Sequence, residues 1–282
     1  MPVQSTAEIT ILQYELDDMF DVTLRDGGGP AVLGIIREFL DNIFDAVEQQ
    51  DIRMMKLSAT AYPTIITALH RYICFAVYYP SVQKASGYDL AHYRRQLKAC
   101  ILAMVQQGED NYRYAEEMGG YPCTGLPGSF LKWVRTVGAD HIAASLFASS
   151  FICTLSPGKD AFPTAELKYM AQDCATHISV LGRIGNDRGS RARDVHERNV
   201  NTVHFPEFLG MSEGETLTEI ERIEEYEREL KDVSLRKLRE RAREVMGKRK
   251  GDVCVNVLEM LSKVTDVYTA LYAYKDLGQA RQ

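Results

Sequence analysis

The six cysteines of this 282-residue chain, Cys74, Cys100, Cys123, Cys153, Cys174 and Cys254, form no CxxC pair. That spacing excludes the usual zinc ribbons and offers no disulfide framework; scattered thiols of this kind suit a reducing compartment. Runs of alternating polar and apolar residues are also absent, so no half-buried strand is expected. There is no dominant basic stripe and the formal charge is −6, which argues against a nucleic-acid-binding surface. The segment richest in Arg and Lys, 236–250, follows an acidic run, 213–229, and reads as a solvated helix laced with i,i+4 ion pairs. The N-terminal residues lack the basic and apolar regions of a signal peptide. The apolar run from Tyr62 to Tyr79 is interrupted by His70 and Arg71, so it is not expected to span a membrane. A cytoplasmic protein is the expectation.

What is present is helical periodicity. Ile9, Leu12, Leu16, Met19 and Phe20 recur at spacings of three and four, and so do Ile35, Ile36, Phe39, Leu40, Ile43 and Phe44. Further helical stretches run over 54–79, 88–118, 130–155, 164–199, 217–248 and 253–274, with Thr164 and Glu166 marking a helix start and Gly119-Gly120 a stop. Residues 200–214 read as irregular. With 45% apolar and 26% charged residues, the chain can bury a substantial core. These features predict an all-α fold in a single domain, 1–282, with about ten helices of ordinary length.

Two short segments carry chemistry. In ELDDMFD, Asp17 and Asp21 stand four residues apart and Asp18 and Asp21 three, so a helix puts the carboxylates on one face. Like charges so placed repel each other unless a cation lies between them, and hard oxygen donors suit Mg²⁺. In NDRGSRARD, Asn186, Ser190 and Asp194 form a column at i, i+4 and i+8, again of hard oxygen donors. The triad carries a single negative charge, so a bound dication would still need a polyanionic partner. Arg188, Arg191 and Arg193 flank it; guanidinium forks clamp phosphate oxygens well, but surface acids are equally ordinary partners.

An aspartate-rich DDxxD helix early and an (N/D)DxxSxxx(E/D) helix later resemble the class I terpene synthases. The longer stretches NDRGSRARDVHERNVNTVHFPEF, 186–208, and DVYTALYAYKD, 266–276, resemble most closely the C-terminal class I domain of fungal labdane-related diterpene synthases, of the ent-kaurene synthase kind. The resemblance implies a class I helical barrel, here beginning without the first helices that the family carries ahead of its aspartate-rich helix. It implies that Asp17 and Asp21 bind two Mg²⁺ ions with Asp18 in support, and that Asn186, Ser190 and Asp194 bind a third. Asp194 stands where many members have Glu. Arg135, Arg183, Tyr274 and Lys275 become candidates for diphosphate binding, and Tyr14, Phe75, Trp133, Phe147 and Phe151 for the wall of an aromatic pocket, where ring faces favour cations. The implied activity is Mg²⁺-dependent ionisation and cyclisation of a prenyl diphosphate, geranylgeranyl or copalyl diphosphate, the latter supplied by a separate class II cyclase. There is no DxDD motif, so protonation-driven cyclisation is not expected. The alternatives are a non-catalytic, truncated or degenerate paralogue, and a chain-elongating prenyltransferase, which calls for a second DDxxD where this chain has NDRGSRARD.

Overall fold

The computed structural model describes residues 16, 19, 20, 29–49, 51–55, 57, 62–116, 128–208 and 210–279. Among them there is no strand. The helices are α1 (Gly29–Val47), α2 (Pro63–Val77), α3 (Gly87–Glu116), α4 (Phe130–Trp133), α5 (Ala139–His141), α6 (Ala144–Leu155), α7 (Ala165–Glu197), α8 (Glu213–Met246) and α9 (Lys248–Gln279). The all-α expectation holds over these residues, and single-turn 3₁₀ segments occupy part of 200–214.

Local chemistry explains the boundaries. Pro63 opens α2, where its missing N–H costs nothing. Thr164 caps α7 by accepting the Leu167 N–H at 3.2 Å, as the sequence predicts. Ser212 and Glu215 form a reciprocal capping box on α8. The apolar stretch 130–155 is not one helix. A π-helical segment, Val134–Gly138, joins α4 to α5, and Ala143 then turns left-handed (φ 61°), which stops α5 and starts α6.

Three apolar clusters hold the bundle. α1, α2 and α3 enclose Leu33, Ile36, Leu40, Ile65, Leu69, Tyr93 and Leu97, with Leu16 and Phe20 packed in. α6, the first half of α7, α8 and α9 share a second, around Leu167, Cys174, Ile178, Leu238 and Leu258. The third surrounds the far half of α7: Tyr114, Phe130, Trp133, Val180, Ile184, Val200, Phe205, Phe208 and Ile220. Each fully buried Leu or Ile contributes about 1.5–3 kcal/mol. This third cluster fixes the end of α7 on which the candidate site lies.

α7, α8 and α9 lie side by side. A Cβ on Gly185 would come within 2.6 Å of Thr269 on α9, so the two helices approach closely there. Asp252, Glu259 and Asp266, seven residues apart on α9, take Arg239 and Arg243, Arg239, and Arg228 of α8 respectively. The charged helix thus sends much of its basic complement across to its neighbour, although Arg236–Glu240 keeps the expected i,i+4 spacing.

Gly251 sits where the α8–α9 hairpin is tightest: an added Cβ would lie 2.8 Å from the Ala242 carbonyl carbon and from Arg243 N. Backbone cannot yield as a side chain can. Gly251→Ala is therefore expected to lose about 1–3 kcal/mol to overpacking, more than the ~1 kcal/mol gained in helix propensity. Gly34→Ala, at an exposed position of α1 with nothing within 4 Å, should gain stability. Thermal melts of the two variants should move in opposite directions.

No single described helix is long and apolar enough to cross a membrane. Phe130–His141 and Ala144–Leu155, bent by 49° to each other, are long and apolar enough only as a pair, and many of their apolar side chains are buried in the bundle.

Candidate active site

The last turns of α7 carry the column. The helix ends at Arg198, left-handed at φ 61°, whose N–H bonds the carbonyls of Asp194 and Val195. Asn199 N–H donates to the Asp194 carbonyl at 2.8 Å. The chain then doubles back beneath α7, and Asn201 caps a short 3₁₀ turn, Thr202–His204, by accepting the Val203 N–H.

Ser190 is fully buried and its hydroxyl donates to Asp194 Oδ2 at 2.6 Å. The Asn201 carboxamide donates to the same oxygen at 2.7 Å. Asp194 Oδ1 is turned away from both and meets Arg193 Nη2 at 3.9 Å. Asn186, two turns ahead of Asp194, is half-buried, and no hydrogen bond to its side chain forms among the described residues. Burial pushes the Asp194 carboxyl up to about 6, and the nearby Asp187 charge adds to the effect; the Ser190 and Asn201 hydrogen bonds offset part of it.

Asp187 lies between column residues in sequence but does different work. It is wholly buried, and its Oδ2 accepts the Thr202 N–H at 2.8 Å and the Thr202 hydroxyl at 2.7 Å. Its Oδ1 stands 2.8 Å from Arg183 Nε, an ion pair whose N–H is bent out of hydrogen-bond alignment. Arg183 in turn lies over the Trp133 ring, 4.7 Å from its centroid, and Trp133 donates to Asp110 at 3.3 Å. Arg183, a diphosphate candidate by resemblance, is thus 4% exposed and engaged inside the third cluster.

The other nominated residues are placed as follows. Arg135 pairs with Glu227, which also accepts from His177 Nδ1 at 2.7 Å. Burial alone would raise the Glu227 carboxyl, but His177 and Arg135 hold it below its ordinary value. Trp133 is buried in the third cluster, Phe75 packs edge-on to Tyr79, Phe147 touches the first two clusters, and Phe151 is half-buried on α6. Tyr14, Asp17, Asp18 and Asp21 lie outside the described residues. Tyr274 and Lys275 fall within α9, with their side chains outside the described set. Arg188, Arg191 and Arg193 all meet carboxylates, from Glu224, Glu213 and Glu197.

Between α3, α6 and α7 lies a cavity of about 190 Å³ whose polar lining includes His92, Gln96, Asp140, Ser149 and Gln172. Of the nominated aromatic residues that are described, Phe75, Trp133, Phe147 and Phe151, none lines it. Burial raises Asp140 to about 6 and lowers His92 to about 4.

Among the described residues no three His, Cys, Asp or Glu side chains converge as a metal cage. The Asn186–Ser190–Asp194 donor set nevertheless fits a hard dication. The Ser190 hydroxyl donates a hydrogen bond to Asp194 Oδ2, which leaves the Ser190 oxygen lone pairs and Asp194 Oδ1 as donors to a cation. Asn201 and Thr202, which fasten this helix end, escaped the reading of spacings because they lie beyond the chain reversal; the signal available was an Asn placed to cap a turn.

No family profile matches the chain. An ent-kaur-16-ene synthase of Fusarium fujikuroi is 31% identical over 224 residues, covering 75% of this chain and 24% of that protein. A bifunctional premutilin synthase of Rhodocybe pseudopiperita is 26% identical over 301 residues, 99% of this chain and 30% of that protein. A pimaradiene synthase of Emericella nidulans is 27% identical over 235 residues, 80% of this chain and 24% of that protein. The chain spans a quarter to a third of the length of these relatives. At 26–31% identity over most of its length, the chain is a relative of the fungal diterpene synthases, and its all-helical architecture is consistent with the resemblance of its motifs to those of class I terpene synthases.

Proposed function

We propose that this chain, acting as one domain, is a Mg²⁺-dependent terpene cyclase that ionises a C20 prenyl diphosphate and cyclises the carbocation. The observation that carries this reading is the column on α7: Ser190 and Asp194 are locked at 2.6 Å with free oxygen lone pairs, one helical face with Asn186. The named activities of its relatives support the same chemistry.

In this reading Asn186, Ser190 and Asp194 hold one ion, and Asp17 and Asp21, with Asp18 in support, hold the others. Bound Mg²⁺ would neutralise the departing diphosphate and so favour breaking of the allylic C–O bond. The protein's own part is to orient and to keep water out. Phe130, Trp133, Phe205 and Phe208 close the inner side of the α7 end with apolar surface. Lys275 and Tyr274 are the proposed contacts to the diphosphate. Arg135 and Arg183, each already paired with a carboxylate, would act on it only by exchanging that partner. Phe75, Phe147, Phe151, Trp133 and Tyr14 are the proposed aromatic contacts to the carbocation. A chain-elongating prenyltransferase is disfavoured because α7 presents a neutral amide and a hydroxyl where a second aspartate-rich motif would stand.

Incubating the purified chain with geranylgeranyl diphosphate, and separately with copalyl diphosphate, tests the reading. Gas chromatography with mass spectrometry should detect a diterpene that appears only with Mg²⁺ and disappears in Asn186→Ala. A product from copalyl diphosphate alone would mark dependence on a separate class II cyclase. No product from either, by folded protein, would favour a non-catalytic paralogue.

A further inference from the structure

Asn201 is 0% exposed, and both of its amide protons and its carboxamide oxygen are engaged. One amide proton goes to Asp194 Oδ2 at 2.7 Å and the other to the Asp187 backbone carbonyl at 2.7 Å, while its oxygen accepts the Val203 N–H at 3.2 Å. An aspartate would set a third buried carboxylate beside Asp187 and Asp194, and an apolar residue would leave three polar groups unpaired. Only a carboxamide of this length satisfies all three partners.

The consequence for the column is geometric. Two donors, the Ser190 hydroxyl and the Asn201 amide, converge on Asp194 Oδ2, which fixes the rotation of the carboxylate. Oδ1 is then the oxygen left to face outward. Remove the Asn201 donor and Asp194 stands beside buried Asp187 with a single hydrogen-bond tether, free to rotate and close the present 3.9 Å gap between Oδ1 and Arg193 Nη2. Thr202, the next residue, bonds Asp187 and not Asp194. The loop therefore carries two neighbouring contacts with separable jobs: one orients a column residue, and the other ties the helix end down.

We infer that Asn201 is a positioning residue that presets the Asp194 carboxylate for a divalent cation bound by α7. The inference rests on the reading of Asn186, Ser190 and Asp194 as metal ligands. Partners that orient a metal-binding side chain typically account for 10–100-fold in metal affinity.

The test is a thermal-shift titration with Mg²⁺ in the presence of inorganic diphosphate, on the full chain. Wild type should melt higher as Mg²⁺ rises. Asn201→Ser keeps the cap on the 3₁₀ turn but cannot reach Asp194, and its half-saturating Mg²⁺ should rise about 10–100-fold. Asn201→Thr caps the same turn and should show the same shift, so it serves if the serine variant is too unstable to titrate. Thr202→Val should melt lower without metal yet keep the wild-type half-saturation within about twofold. An Asn201 variant that titrates like wild type overturns the positioning role, as does a Thr202→Val shift as large as that of Asn201→Ser. A wild type with no response to Mg²⁺ fails at the earlier step, the metal reading itself, and takes the role of Asn201 with it.

Discussion

Asp194→Asn should yield a protein that is more stable than wild type without metal at neutral pH, and at least about 100-fold less active with it. The two effects share one cause. Asp194 is buried beside Asp187, and that environment raises its carboxyl to about 6. In the unfolded chain an aspartate titrates near 3.9. Between these values the folded state holds a proton that the unfolded state has released, so stability falls as pH rises from about 4 to about 6 and stays reduced above it. Relative to Asp194→Asn, wild type should therefore lose roughly 2 kcal/mol over that range. A bound dication would reverse the balance, because it requires the carboxylate. Denaturation curves of both proteins at pH 4.5 and 7.5, without metal, check the sign: an unchanged stability difference would contradict the raised carboxyl. Stability given up at one residue is what a functional site tends to show.

Asp187→Ala should do the opposite, costing about 3–5 kcal/mol of folding stability. It strands Arg183, 4% exposed, without its carboxylate, and unpairs both the Thr202 N–H and hydroxyl. The loss should register as a lower urea midpoint with an unchanged m-value. Asp187→Asn retains an oxygen for Thr202 and should lose less. If Asp187→Ala melted like wild type, the buried latch between α7 and the 201–204 turn would not be what holds that helix end.

These two aspartates show how far the sequence could be read. The column of Asn186, Ser190 and Asp194 was legible because an i, i+4, i+8 spacing has one meaning on a helix, and Thr164 announced where that helix begins. The division of labour between Asp187 and Asp194 was not, since it depends on Asn201 and Thr202 returning beneath α7 after a left-handed residue, Arg198, that carries no glycine signal. Within 130–155, Gly138 is the residue that signals a break, and 134–138 does widen to a π-helix that ends there; the left-handed turn at Ala143 has neither a proline nor a glycine to mark it. On α8 and α9, composition announced ion pairs, but only the packing of the two helices shows which arginines leave their own helix for Asp252, Glu259 and Asp266. Arg183 is the clearest case of context overriding residue type: a guanidinium suited to a phosphate is held instead by Asp187 and the Trp133 ring.

The measurement that bears most directly on the proposed function is release of inorganic diphosphate from geranylgeranyl or copalyl diphosphate, followed as Mg²⁺ is titrated into wild type and Asn186→Ala. The account predicts saturable, Mg²⁺-dependent release by wild type, accompanied by a hydrocarbon product, and at least about 100-fold less from a folded Asn186→Ala. Release that ignores Mg²⁺, or that survives intact in Asn186→Ala, would contradict it.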